Sequence, residues 1–249
     1  MVAALSRDII TRQGRGLGLD LVGFASTRSL EEKVPDRYRP FRIAENMRTL
    51  IVVAKRSNSG FVVVHHSGTK QFWGGRIIKR IDETCVKLAE FVESYGAVAF
   101  PVSSLMVDMG EREGIDLCPA GQGSPLLKAG AVAAGLGTLG LNLMLLTREF
   151  GPRVYLGGVL TDAEVEPGKP LTRDLCLGLE ECGRCAVICP AKAIPLRAPR
   201  SAHITEYRDL DKRACASGAE RIGIKPLLLN LQRLVFASLP SESHPPGSD

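Results

Sequence analysis

An α/β (α+β) fold with a small cysteine-built unit appended is what this sequence predicts, on three observations. Short, β-branched apolar runs bounded by charge or turn residues mark strands. Between them lie segments whose apolar residues recur at helical spacing. After residue 163 this pattern stops, and four of the chain's seven cysteines then fall within residues 176–189. The expected organisation is an α/β core over residues 1–165, a cysteine-bearing domain over 166–222, and a C-terminal helix with a disordered tail over 223–249. A chain of 249 residues is long enough for such a division.

The elements follow in order. Residues 3–18 read as a helix with Ala4, Ile9 and Ile10 on its apolar side. "LDLVGFA" and "TLIVVAK" read as strands. Apolar residues at 77, 81, 85, 88 and 92 give a helical period, and Gly96 stands where a glycine cap ends a helix. "AVAFPVS" is the next strand. Residues 108–124 have no period and many turn formers, which predicts a long loop near a site. From residue 125 to 162 the expected order is helix, Gly-rich turn, strand, turn, strand, the last being "VYLGGVLT". "AEVEPGKPLTRDL" has a linker's composition. Residues 223–238 form one more apolar helix, and the Pro- and Ser-rich end is a disordered tail.

Composition limits the function. The chain is 45% apolar and 24% charged, as soluble proteins are. A net charge of +5 favours anionic ligands or an acidic electron partner, but it does not make the dense basic stripe of a nucleic-acid binder. The longest apolar run, residues 129–146, is interrupted by four glycines, Thr138 and Asn142, so no membrane span is expected. The N-terminal residues show no signal-peptide pattern. A cytoplasmic protein is the expectation, and in a reducing compartment clustered cysteines indicate metal or redox chemistry.

The cysteines are spaced Cys176, five residues, Cys182, two residues, Cys185, three residues, Cys189, then Pro190. The bacterial ferredoxin run is C-x2-C-x2-C-x3-C-P, and only the first gap here is longer. A loop that wraps an iron–sulfur cube must aim several sulfurs inward, and Gly183 gives the backbone freedom to do so. A [4Fe–4S] cluster is therefore expected on Cys176, Cys182, Cys185 and Cys189. In two-cluster ferredoxins the cysteine before the proline serves the other cluster, so Cys215 and Cys118 stand as alternative fourth ligands. Zinc is the competing metal, although zinc sites favour two separated pairs. Cys85, on the apolar face of a helix, reads as a core residue.

The run "AVAAGLGTLGLNLMLLTREFGPRVYLGGVLTD" followed by "CGRCAVICPAKAI" resembles the superfamily of epoxyqueuosine reductases and reductive dehalogenases. "LGLDLVGFA" and "AENMRTLIVVAK" resemble its opening strands. The resemblance covers roughly residues 15–215 and is most specific over 133–194. It implies a nitroreductase-like α/β core, a ferredoxin-like domain, and a cobalamin (corrinoid) in the core that receives electrons from the cluster. The implied corrinoid-binding residues are Gly135, Gly137, Gly140, Asn142, Thr147 and Arg153. Read from the residues alone, these glycines equally suit a tight helix–strand turn.

The departures matter. The superfamily's second cysteine motif is reduced to Cys215, so one cluster is expected. The catalytic aspartate of the epoxyqueuosine branch has "GQGS" in its place, and Leu141 stands where a basic residue precedes the asparagine. The helical-repeat extension of that branch is not seen after Cys189. Three functions compete. One is a corrinoid-dependent reductase acting on a small molecule, with Tyr95, Asp108, Asp116, His65 or His66 as proton donors. The second is an electron-transfer or accessory protein serving a redox partner. The third is a zinc-binding structural module. A redox partner protein as electron donor is the expected partner.

Overall fold

The structure is a computed structural model that describes residues 5–34, 36–104 and 124–194, together with 196, 211 and 214. The 108–123 loop, Asp108, Asp116, Cys118, Cys215, the expected helix at 223–238 and the tail lie outside the described residues.

Four antiparallel strands form the central sheet in the order β1-β2-β6-β3: β1 (Leu21–Ser26), β2 (Thr49–Arg56), β6 (Val154–Thr161) and β3 (Ala99–Val102). β2 is a continuous apolar run because helices cover both of its faces, so neither parity of side chain meets water. Leu50 and Val52 pack with Leu160 against α5 (Pro125–Ala133). Ile51 and Val53 pack with Val159 against α1 (Arg7–Gly16) and α4 (Ser67–Glu93). All four β2 residues are wholly buried. Each such side chain contributes about 1.5–3 kcal/mol of transfer free energy. Pro101 is tolerated in β3 because that strand is an edge, where a missing donor breaks no second ladder.

The helical period of residues 77–92 proves real. Ile81, Cys85, Leu88 and Val92 are buried in one cluster, with Ile77 packed against it. The helix begins earlier than that period, at Ser67, because His66 caps it by accepting the Thr69 N–H at 3.1 Å. The adjacent glycines of β6 admit the two helix layers. A Cβ on Gly157 would lie 2.3 Å from Ile81 of α4, and one on Gly158 would lie 2.6 Å from Leu127 of α5.

The signals at the ends of α5 are also obeyed. Ser124 caps it by accepting the Leu127 N–H at 3.4 Å, Pro125 opens it, and Gly135 at φ +77° closes it. The Leu136 N–H reaches the Ala131 carbonyl and the Gly135 N–H reaches that of Val132, the pattern that requires a left-handed residue. Where the sequence predicts one strand before β6, two two-residue strands form a hairpin, β4 (Thr138–Leu139) and β5 (Leu145–Leu146).

The stretch with linker composition is packed rather than slack. Val165 is buried, and its N–H donates to Thr49 Oγ1 at 3.1 Å. The Gly168 N–H donates to the Phe24 carbonyl at 2.8 Å. Buried Thr49 is thereby satisfied, since its hydroxyl also donates to the Ala163 carbonyl at 2.8 Å.

Candidate functional site

The cysteine block begins where the Leu175 N–H donates to Thr138 Oγ1 of β4 at 2.9 Å. Two one-turn helices follow, α6 (Gly178–Glu181) and α7 (Arg184–Val187). Between them Gly183 takes φ +57°, a left-handed turn that an L side chain resists, so the chain reverses between Cys182 and Cys185. Cys182 is exposed, while Cys176, Cys185 and Cys189 are half-buried. The block's own core is small: Leu143, Ala186, Ala193 and Ile194, with Cys185 and Cys189 packed against it.

Electrostatics brings three of the four thiols together. Burial pushes the Cys185 thiol up, and the neighbouring sulfurs of Cys176 and Cys182 push it further. The backbone N–H groups of Ala186 and of Cys185 itself pull the other way. Sulfurs that raise one another's proton affinity are relieved by a cation, and such N–H groups also suit a metal-bound sulfur. Among the described residues no three His, Cys, Asp or Glu side chains are gathered into a single-ion cage. A tetrahedral zinc site would draw its sulfurs to about 2.3 Å from one point. The thiols therefore act on each other electrostatically without that closure, and the donor set is the all-thiolate one that iron–sulfur clusters take.

Cys85 behaves differently. It is buried under the sheet, and burial, with the Asp82 charge second, pushes its thiol up to about 12. Such a thiol stays protonated and inert, as its place on an apolar helix face leads one to expect.

Next to the block lies a cavity of ≈ 580 Å³ between β6, α4, α5 and the hairpin. The tip of the hairpin joins the two. Leu143 is buried in the cysteine block's core with Leu141 packed beside it, whereas Asn142, Met144 and Leu145 line the cavity. Leu143 stands at φ +58°, a conformation costing about 1–3 kcal/mol in a residue with a side chain. Its burial offsets that cost.

Of the six residues expected to bind a corrinoid, Asn142 and Arg153 line this cavity. The others are found in packing roles. A Cβ on Gly135 would lie 2.2 Å from the Lys169 carbonyl oxygen, and one on Gly137 would lie 2.1 Å from that of Leu146. Gly140 is the first residue of the hairpin turn, its carbonyl accepting from the Leu143 N–H. Thr147 closes the turn before β6, its Oγ1 accepting the Phe150 N–H at 3.0 Å. None of the described proton-donor candidates is on the cavity wall: Tyr95 stacks edge-on with Phe91, His66 caps α4 and His65 is exposed.

The wall instead carries residues that the sequence did not single out, notably Lys70, Lys128, Ser57, Ser104 and Tyr155. Burial raises the Tyr155 hydroxyl, so it remains a donor. Its ring meets Phe61 edge-on at 6.5 Å. Strand parity could have flagged Tyr155; nothing local marks the others, because they come from separate elements.

No protein-family model matches the chain. It is similar to the tetrachloroethene reductive dehalogenase of Dehalobacter restrictus, 35% identical over 118 residues, which are 46% of this chain and 21% of that protein. It is also similar to the epoxyqueuosine reductase of Pseudomonas aeruginosa, 34% identical over 131 residues, 49% of this chain and 30% of that protein. Among solved structures, the epoxyqueuosine reductase of Streptococcus thermophilus superposes with a TM-score of 0.56 at 18% identity, over 86% of this chain and 58% of that one. A reductive dehalogenase described with a mechanism for B12-dependent dehalogenation superposes with a TM-score of 0.55 at 20% identity, over 78% of this chain and 26% of that one. The chain thus spans about a fifth to a third of the length of these curated relatives. Sequence and fold agree on the superfamily of epoxyqueuosine reductases and reductive dehalogenases as the chain's kin, and on its α/β class. Among the described residues no helix is long and apolar enough to cross a membrane.

Proposed function

We propose that this relative of epoxyqueuosine reductases and reductive dehalogenases is an iron–sulfur oxidoreductase, in which electrons pass from a [4Fe–4S] site at the cysteine block to a small molecule or corrinoid in the neighbouring cavity. The observation that carries the reading is the hairpin tip, whose Leu143 belongs to the cysteine block while Asn142, Met144 and Leu145 belong to the cavity wall. One turn of chain separates the two centres.

Cys176, Cys182, Cys185 and Cys189 would hold the cluster, with Gly183 setting the reversal and the Ala186 N–H donating to sulfur. When bound, the cluster supplies single electrons at a potential set by burial and hydrogen bonds to its sulfurs. Exposed Cys182 and the exposed side chains of Leu177, Val187 and Ile188, the latter two 76% exposed, make that end the place where an electron-donor protein docks. On the other side, Asn142 and Arg153 would hold polar groups of the cavity's occupant, and Tyr155 keeps a hydroxyl proton available beside it. A corrinoid there would supply reductive chemistry at cobalt; the B12-dependent relative supports it. Gly135, Gly137, Gly140 and Thr147 then contribute by shaping the hairpin that carries Asn142.

The test is anaerobic reconstitution with iron and sulfide. The expected product is brown, holds about four irons per chain, and is paramagnetic on reduction. Cys182→Ala and Cys185→Ala abolish iron uptake, whereas Cys85→Ala leaves it intact. Stoichiometric zinc in a colourless preparation, or unchanged iron in both cysteine variants, sinks the reading. Titration with cobalamin that leaves its spectrum unchanged removes the corrinoid from the proposal and leaves the cavity to a substrate.

A further inference from the structure

We propose that the cavity is an oxyanion site: its occupant is a small molecule with an apolar body and a carboxylate or phosphate group. The inference rests on the reading of this cavity as the place where the electrons arrive, and it names the chemistry of what is held there.

Three cations stand on the wall, Lys70 from α4, Lys128 from α5 and Arg153 at the start of β6, and no aspartate or glutamate is among the lining residues. Among the described residues Lys70 and Arg153 enter no ion pair. Arg153 Nη1 donates instead to the neutral Ser59 Oγ at 3.4 Å. Lys128 is only 7% exposed. Asp82 approaches the wall only through Ser104, accepting from its N–H at 3.0 Å and from its Oγ at 2.9 Å, so that carboxylate is already engaged. Like charges sharing one concave, partly dehydrated wall repel, and an anion placed among them relieves that repulsion.

The rest of the wall says what else the ligand must carry. Hydroxyls of Ser57, Ser124 and Tyr155 and the Asn142 amide can donate to an oxyanion, while Phe61, Leu127, Leu145 and Leu156 offer apolar surface. Few convergent polar groups on an otherwise apolar wall suit a ligand with one charged end. Arg153 can meet a carboxylate or a phosphate with two parallel donors, which a lysine cannot. A second apolar pocket of ≈ 370 Å³ shares Phe61 and Lys70 with this cavity and contains Trp73. Trp73 is the only tryptophan in the sequence, so its fluorescence reports on the site.

The experiment titrates the full chain with benzoate, phenyl phosphate and neutral benzamide, followed by Trp73 fluorescence and by calorimetry. At least one anion is expected to bind, at least about tenfold more tightly than benzamide, as befits a charge-assisted contact. Lys70→Gln and Arg153→Gln, both at half-exposed positions, each weaken that anion by about tenfold while benzamide is unaffected. Affinity falls as salt rises. The better of benzoate and phenyl phosphate decides between carboxylate and phosphate. Benzamide binding as well as the anions, no anion binding, or anion affinity unchanged in both variants overturns the proposal. Iron content and reduced-state paramagnetism, measured on the same samples, keep the two readings apart. Intact iron without anion binding overturns the oxyanion site alone; anion binding without iron overturns the redox reading alone.

Discussion

Cys85 and Cys185 are the same residue in two kinds of protein interior, and the contrast separates the sheet core from the cysteine block. Cys85 sits in a core built by two helices and β6, under Ile81, Leu88 and Val159, all buried. That core closes without any ligand, and the thiol within it is held protonated. Cys185 sits against four small or medium buried side chains between one-turn helices. So little apolar area cannot offset the chain entropy of ordering the loop, so the block relies on anchors and on what its thiols bind. The lesson is that a cysteine's chemistry is set by whether its surroundings are complete without it.

The largest test of this contrast is alkaline. In the folded chain Cys85 keeps its proton up to about pH 12, while an unfolded chain releases it near 9. Between these values the unfolded chain binds fewer protons, so stability is full below pH 9 and falls as pH rises, by about 4 kcal/mol at the upper end. Urea unfolding of wild type and Cys85→Ala across that window measures it. Parallel curves for the two proteins would erase the assigned role of Cys85.

Gly157→Ala comes next. Its Cβ would press on Ile81 at 2.3 Å and on the Cys85 sulfur at 2.8 Å. A loss of about 3 kcal/mol in global stability is expected, with iron uptake by the folded fraction unchanged. A selective loss of iron instead would show that the two regions do not stand apart.

Leu143→Ala works from the other side. Removing a buried leucine costs about 2 kcal/mol, and here the cost falls on the block. Amide hydrogen exchange over 176–194 should quicken while β2 keeps its protection. Equal loss in both regions would merge them into one cooperative unit.

The smallest effects concern the packed strap after β6. Arg48 and Glu164 pair at 3.1 Å but are 64% and 81% exposed, so a double-mutant cycle should give less than about 0.5 kcal/mol. Thr49→Val removes two buried hydrogen bonds of the same strap and should cost about 1–2 kcal/mol. The reverse ranking would mean that surface charge holds the strap.

Much of the core was legible. The period at 77–92, the apolar runs of β1, β2 and β6, and the Ser-Pro start and glycine end of α5 are local signals, and the structure obeys them. The hairpin was read as a single strand because two paired residues on each side leave no period to detect. The glycines expected to approach a macrocycle were noticed for the right property, their lack of a Cβ. For Gly135 and Gly137, however, the space a Cβ would need is filled by the chain's own carbonyls. A sequence shows that a position must be small without showing what lies against it.

The sequence by itself determined the strands, the main helices, the thiol spacing and the kinship, because each depends on residues a few positions apart and on backbone geometry that short-range hydrogen bonds fix. The tertiary structure alone decided that Lys70, Lys128, Arg153 and Tyr155 share a wall, and that one hairpin turn serves both the cysteine block and the cavity. Those residues come from two helices and from a strand placed between β2 and β3 by the sheet order. Their meeting is a consequence of long-range packing, which leaves no period in the sequence.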